Sequence, residues 1–243
     1  MNPTHNGLDY LANGFRLLGK RGLKRFVIIP LTINILLFVG FFLTAKHFFA
    51  KLNIWLVHNL PAWLHWIDSL LWITFFIGFM LVFAYGFVVM ANVVCAPFNS
   101  FLAEKVETYL TGKTAVQRTL IENVKDVPRM LARQLSLIGY YLPRALVLLV
   151  FFFIPVIQLF AAVLWFGFNA WFITLQYLDY PTDNHKIPLS QIHVWTWQHR
   201  MLSFTFGIGV LVITLIPGLN FFIIPAAVAG ATKMWVEQEN ATE

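Results

Sequence analysis

Four stretches of this 243-residue chain carry no formal charge, residues 26–45, 69–103, 145–178 and 201–232. Their lengths restrict the folds open to it more than any other feature. As a helix the first is about 30 Å long, the thickness of a bilayer's hydrocarbon core. The second holds one full span, about 70–97, with a few turns to spare. These two are expected to be conventional transmembrane helices. The third and fourth would each be roughly 50 Å long as one helix, yet two complete spans and a turn need about 40 residues or more. Each is also interrupted, one at Pro155 and the other at Pro217-Gly218-Leu219-Asn220, with Pro225 farther on. Proline removes a helix donor and disfavours helix at the residue before it. The pattern predicts two re-entrant hairpins that penetrate the membrane partway, with tips facing protein or water, because uncovered non-helical backbone is not tolerated in hydrocarbon. Paired broken helices of this kind point to a transport site. One kinked, tilted helix per segment is the alternative.

The polar remainder fits this all-α, polytopic membrane reading. Only 12% of residues are Asp, Glu, Lys or Arg, about half the share in an ordinary soluble domain. The single candidate for a soluble domain, 98–144, is too short to stand alone, so one membrane domain over 1–243 is expected. Within it, Phe101, Leu102, Val106, Tyr109 and Leu110 step by three and four and stop at Gly112, and Val116, Leu120, Val124 and Leu131 continue the stripe. Residues 100–139 therefore read as amphipathic helices that extend the core beyond the bilayer or lie on its surface. Between the first two spans, 46–68 carries Trp55, Trp63 and Trp66, as expected for helix ends among lipid headgroups.

Charge placement sets orientation. Five Lys and Arg precede the first span, two lie in 46–68, seven in 98–144, two in 179–200 and one in the C-terminal tail. The positive-inside rule puts the N-terminus and 98–144 in the cytoplasm, and the C-terminus with them. The net charge of +6 sits beside apolar spans rather than in any nucleic-acid-binding pattern, so no nucleic acid partner is expected. Cys95, the one cysteine, excludes an intrachain disulfide. The first apolar run is too long for a signal-peptide core and is expected to remain as an anchor.

Little in the chain suggests catalysis. Gly14-Phe-Arg-Leu-Leu-Gly19-Lys20-Arg21 approaches a phosphate-binding loop, but Arg21 replaces the Ser or Thr that would hold magnesium and no strand precedes it. His185, His193 and His199 lack metal-ligand spacing. No metal, cofactor or enzyme is expected. No ionisable residue lies deep in a span, which argues against an intramembrane proton relay and leaves neutral groups to line any polar path. Ala226-x-x-x-Gly230 is a small-xxx-small pattern that lets two helices approach closely.

The candidate chemistry is concentrated at Gly22, Leu23, Lys24 and Arg25, where a basic, glycine-containing turn enters the first apolar run. A helix start offers up to four unpaired N–H donors and the positive end of its dipole, and Gly22 permits close backbone approach. Two cationic heads add charge-assisted hydrogen bonds of about 1.5–3 kcal/mol each. Such a turn suits a tetrahedral dianion, sulfate or phosphate alike. A topology signal that grips lipid headgroups uses the same residues.

Gly22-Leu-Lys-Arg-Phe-Val-Ile-Ile-Pro30, Ala96-Pro-Phe-Asn99, Tyr141-Leu-Pro-Arg144, Asp179-Tyr-Pro-Thr-Asp-Asn-His-Lys186 and Gly230-Ala-Thr-Lys-Met-Trp-Val236 together resemble the CysZ family of bacterial sulfate permeases. Read from its residues, the fourth is a capped turn after the third apolar run. The resemblance implies sulfate uptake across the bacterial inner membrane for cysteine biosynthesis, hemi-penetrating hairpins, and a dimer or larger homo-oligomer in the lipid bilayer. It also implies that Gly22, Leu23, Lys24 and Arg25 bind the sulfate ion. Lys24 stands where an Arg is common, which keeps the charge and loses the bidentate fork. The competing reading is a non-transporting scaffold or lipid-binding anchor.

Overall fold

A computed structural model describes residues 6–20, 22–59, 73, 76–80, 97–112, 120–216 and 219–239, and every element among them is helical. The helices are α1 (Gly7–Leu18), α2 (Arg25–Asn59), α3 (residues 97–111), α4 (Leu120–Phe151), α5 (Gln158–Asn184), α6 (Leu189–Gln198), α7 (Arg200–Thr214) and α8 (Asn220–Glu239). They form two compact units, Met1–Ile28 with Ala96–Glu243, and Ile29–Cys95.

In the first unit, α1 starts at Asn6, whose Oδ1 accepts from the Leu8 N–H at 3.1 Å, and carries Asp9 in its first turn and Arg16 in its last. Both charges complement the helix dipole. Its buried face, with Tyr10, Leu11, Gly14, Leu17 and Leu18, packs against α8 and α7. Gly14 is required by that contact, since a Cβ there would overlap the Ala226 carbonyl oxygen, and a Cβ on Gly230 would lie 2.7 Å from the Tyr10 carbonyl oxygen. The close approach expected of Ala226-x-x-x-Gly230 is thus present, and its partner is α1. Around it gather Leu102, Val106, Leu175, Leu178, Ile192, Phe206, Ile223 and Met234, all buried.

The helix break expected at Pro155 is present. α4 stops at Phe151, residues 152–157 turn with Val156 at φ 73°, and α5 departs at Gln158. The second break also falls where the sequence placed it, between α7 and α8, although Pro217 and Gly218 lie outside the described residues. Pro225, by contrast, lies inside α8 without ending it. The outer faces of α4 and α5 are apolar: Leu135, Ile138, Leu142, Val147, Leu159 and Val163 are each more than half exposed.

Several boundaries differ from expectation. Within 100–139 the described residues form two helices, α3 and the first part of α4, and the second extends beyond the expected boundary. α3 ends at Gly112, φ 66°, as its glycine requires, and α4 then runs unbroken into the third apolar stretch. It passes Pro143, which removes a single backbone donor and leaves the Gly139 carbonyl without its usual helix partner. The stripe is shifted as well: Leu102 and Val106 are buried but Tyr109 is exposed, and α4 buries Met130 and Leu137 rather than Leu131. α2 continues past residue 45 to Asn59, since no Gly or Pro follows Gly40 before Pro61. The expected span at about 70–97 lies largely outside the described residues, with helix at 76–80.

Candidate functional site

The basic turn is built by the end of one helix and the start of the next. Gly19 and Lys20 close α1 by donating to the Arg16 and Leu17 carbonyls at 3.3 and 2.9 Å, and the Leu23 N–H donates to the Lys20 carbonyl at 3.2 Å. Gly22 adopts φ 92° with open space around it, so the backbone conformation rather than crowding calls for glycine. Leu23 is buried, 4% exposed, and joins the hydrophobic cluster formed by α1, α3, α5 and α8. It anchors the turn, and the exposed Lys24 and Arg25 follow it. The ladder of α2 begins with the Ile28 N–H donating to the Lys24 carbonyl at 3.0 Å. Lys24 therefore occupies the cap position, and the N–H groups of the first turn have no partner within the helix ladder. The four sequence-selected residues thus divide into one conformational element, one anchor and two charges.

A second polar assembly lies in the segment 179–186, and here the sequence reading needs correction. Read as a capped turn, the segment is helical from Asp179 through Asn184 with Pro181 inside α5, and only His185 and Lys186 form the turn. Asp179 and Asp183, one helical turn apart, face Arg133 and Arg129, likewise one turn apart on the antiparallel α4. Arg133 Nε donates to Asp179 Oδ1 at 2.7 Å and its Nη2 to the Ile187 carbonyl at 2.8 Å, while Arg129 pairs with Asp183. Asn184 Nδ2 reaches the Ser100 carbonyl at 2.9 Å, Asn99 Nδ2 reaches the Tyr180 hydroxyl at 3.2 Å, and His185 Nε2 lies 2.8 Å from Glu107 Oε1. The polar groups of this segment are thus engaged in joining α5 to α3 and α4. Sequence inspection missed this clamp; the signal available was the matching four-residue spacing of the two Asp and two Arg. Among the described residues no group of three or more His, Cys, Asp or Glu is placed to hold a metal.

Helix in every described element, α4 and α5 long and apolar enough to cross a bilayer, and large apolar side chains turned outward define a helical membrane protein. Residues 10–225 match the family model described as sulfate transporter CysZ/etoposide-induced protein 2.4, and the chain belongs to that family. It is 43% identical over 239 residues to the sulfate transporter CysZ of Pectobacterium atrosepticum, an alignment covering 97% of this chain and 86% of the relative.

Proposed function

We propose that this protein takes up sulfate across the bacterial inner membrane for sulfur assimilation and cysteine biosynthesis, and that Gly22, Leu23, Lys24 and Arg25 bind the ion on the cytoplasmic side. The observation that carries the transport reading is the near full-length similarity to a protein named as a sulfate transporter. The turn supplies what a compact dianion needs: a helix start, a glycine at φ 92°, and two exposed cations held by a buried leucine. The proposed activity is transport, without chemical change of the ion.

The two hairpins are re-entrant in this reading, and the chain is a multi-pass homo-oligomer with both termini in the cytoplasm. Tyr141 on α4 is level with α5, its hydroxyl 3.2 Å from Asn169 Oδ1 and its ring 5.4 Å from that of Phe168. From that level to the tip each arm has about ten residues, roughly 15 Å, half the hydrocarbon thickness. By length and composition alone α4 and α5 could cross completely, but the level pair and the exposed Arg144 beside it favour entry through one leaflet.

Moving a dianion inward against about 100 mV, inside negative, costs about 4.6 kcal/mol. Net uptake then needs a coupled ion or rapid consumption of cytosolic sulfate. Purified protein in liposomes tests the assignment. Saturable sulfate entry above that of empty vesicles is expected, and entry no faster than in empty vesicles contradicts it.

A further inference from the structure

Arg144 sits on an exposed, otherwise apolar stretch of α4, flanked by Leu142 at 51%, Leu146 at 53% and Val147 at 56% exposure. It has no carboxylate partner among the described residues. Its guanidinium is nevertheless fixed. The carbon at its centre lies 3.7 Å from the centroid of the Tyr140 ring, and Nη1 donates to the Tyr140 carbonyl at 2.7 Å. Both contacts draw the side chain back along α4, away from the hairpin tip, which is the direction a long cation takes when it reaches from hydrocarbon toward water. One donor is engaged, and among the described residues the remaining edge of the planar fork has no hydrogen-bond partner.

What surrounds this cation belongs to a lipid headgroup boundary. The Tyr140 ring is 4.2 Å from His193 on α6, and one turn along α6 Trp197 meets Trp171 of α5 at 5.8 Å. Trp197 is 66% and Val194 57% exposed, so α6 presents an aromatic and apolar face at this level. Amphipathic aromatic rings collect where acyl chains meet headgroups. A fixed, unpaired guanidinium at the same level meets the phosphate of the lipid there, an acceptor whose geometry matches its fork.

We infer that Arg144, positioned by Tyr140, is a binding site for the phosphate of a membrane phospholipid. This rests on the partial-entry reading of the α4–α5 hairpin. Free sulfate shares the same oxyanion chemistry, and the test separates the two sources.

Detergent-purified protein is titrated with phosphatidylglycerol and bound lipid is counted by native mass spectrometry, with and without sulfate. Arg144→Gln should lower the affinity for the tightest lipid by about tenfold, the loss expected for one charge-assisted contact. Arg144→Lys, which keeps the charge without the stacked fork, should fall between it and wild type. Melting temperature and sulfate binding at the 22–25 turn are measured on each variant, and only variants that melt like wild type are compared. Equal lipid affinity in Arg144→Gln and wild type overturns the assignment, as does displacement of the lipid by sulfate at that residue. Flotation with vesicles reports the membrane reading separately: a wild-type chain that fails to float contradicts that reading, whereas a variant that floats normally yet keeps its lipid contradicts only the Arg144 site.

Discussion

Arg133 and Asp179, 46 residues apart in sequence, form a buried ion pair between α4 and α5, with the Asp179 side chain only 2% exposed and Nε to Oδ1 at 2.7 Å. The same arginine also donates to the Ile187 carbonyl just beyond the end of α5, so it fixes both the helix and its exit. The pair locks the base of the hairpin at the end opposite the apolar tip.

Replacing Arg133 by Leu leaves the Asp179 carboxylate buried without its cation, which costs about 3–5 kcal/mol. Thermal unfolding in detergent should show a clear loss. Restoring an uncharged match with Arg133→Leu and Asp179→Leu together should recover much of it. A single variant as stable as wild type would remove the clamp from the account.

Gly14 tests the contact between α1 and α8. A methyl group there overlaps the Ala226 carbonyl oxygen, and backbone cannot swing aside as a side chain tip can. Gly14→Ala should destabilise by about 1–3 kcal/mol, the range for overpacking a close contact. Gly40→Ala, on α2 with open space around it, should be neutral or slightly stabilising. Equal behaviour of the two variants would contradict the packing.

His193 makes stability depend on pH. Burial, and then the charge on Arg144, hold its pKa below the usual histidine value. The unfolded chain therefore binds a proton at His193 more readily than the folded one, and stability rises with pH where the two states differ. This contribution is present above the unfolded value of about 6.5 and is lost as pH falls through it toward the lower folded value. On acidification from neutrality the melting temperature should fall more steeply in wild type than in His193→Gln. An unchanged slope in the variant would show that another group controls it.

Lys24 offers a gain of function. Arginine at this position restores a planar fork to a site that now presents a point charge. Lys24→Arg should tighten sulfate binding severalfold with no change in fold, read by titration calorimetry. Weaker binding would mean that the compact ammonium fits this turn better.

The apolar runs, both helix breaks and the close-packing role of Ala226 and Gly230 were legible in the sequence, because each depends on local composition or on the helical period. The continuity of α4 was not, since proline reads as a helix breaker, whereas at Pro143 it removes one backbone donor and the helix runs on. Nor was α1, a 12-residue helix whose burial comes from partners about 200 residues away in sequence. The segment 179–186 read as a turn because its Asp, Asn and Pro are turn formers. Long-range pairing of Asp179 and Asp183 with Arg133 and Arg129 accompanies helix through Asn184, and the turn is confined to 185–186. At the basic turn, Gly22, Lys24 and Arg25 could be chosen from charge and backbone freedom, while the anchoring by Leu23 emerges only from the packed core.

The central claim is that the turn at residues 22–25 binds sulfate, and equilibrium binding of radiolabelled sulfate to wild type and to Lys24→Ala/Arg25→Ala tests it most directly. Lys24 and Arg25 are exposed, so the variant should melt like wild type. The account predicts saturable binding in wild type and its loss in the variant. Saturable binding of equal affinity in both would contradict it.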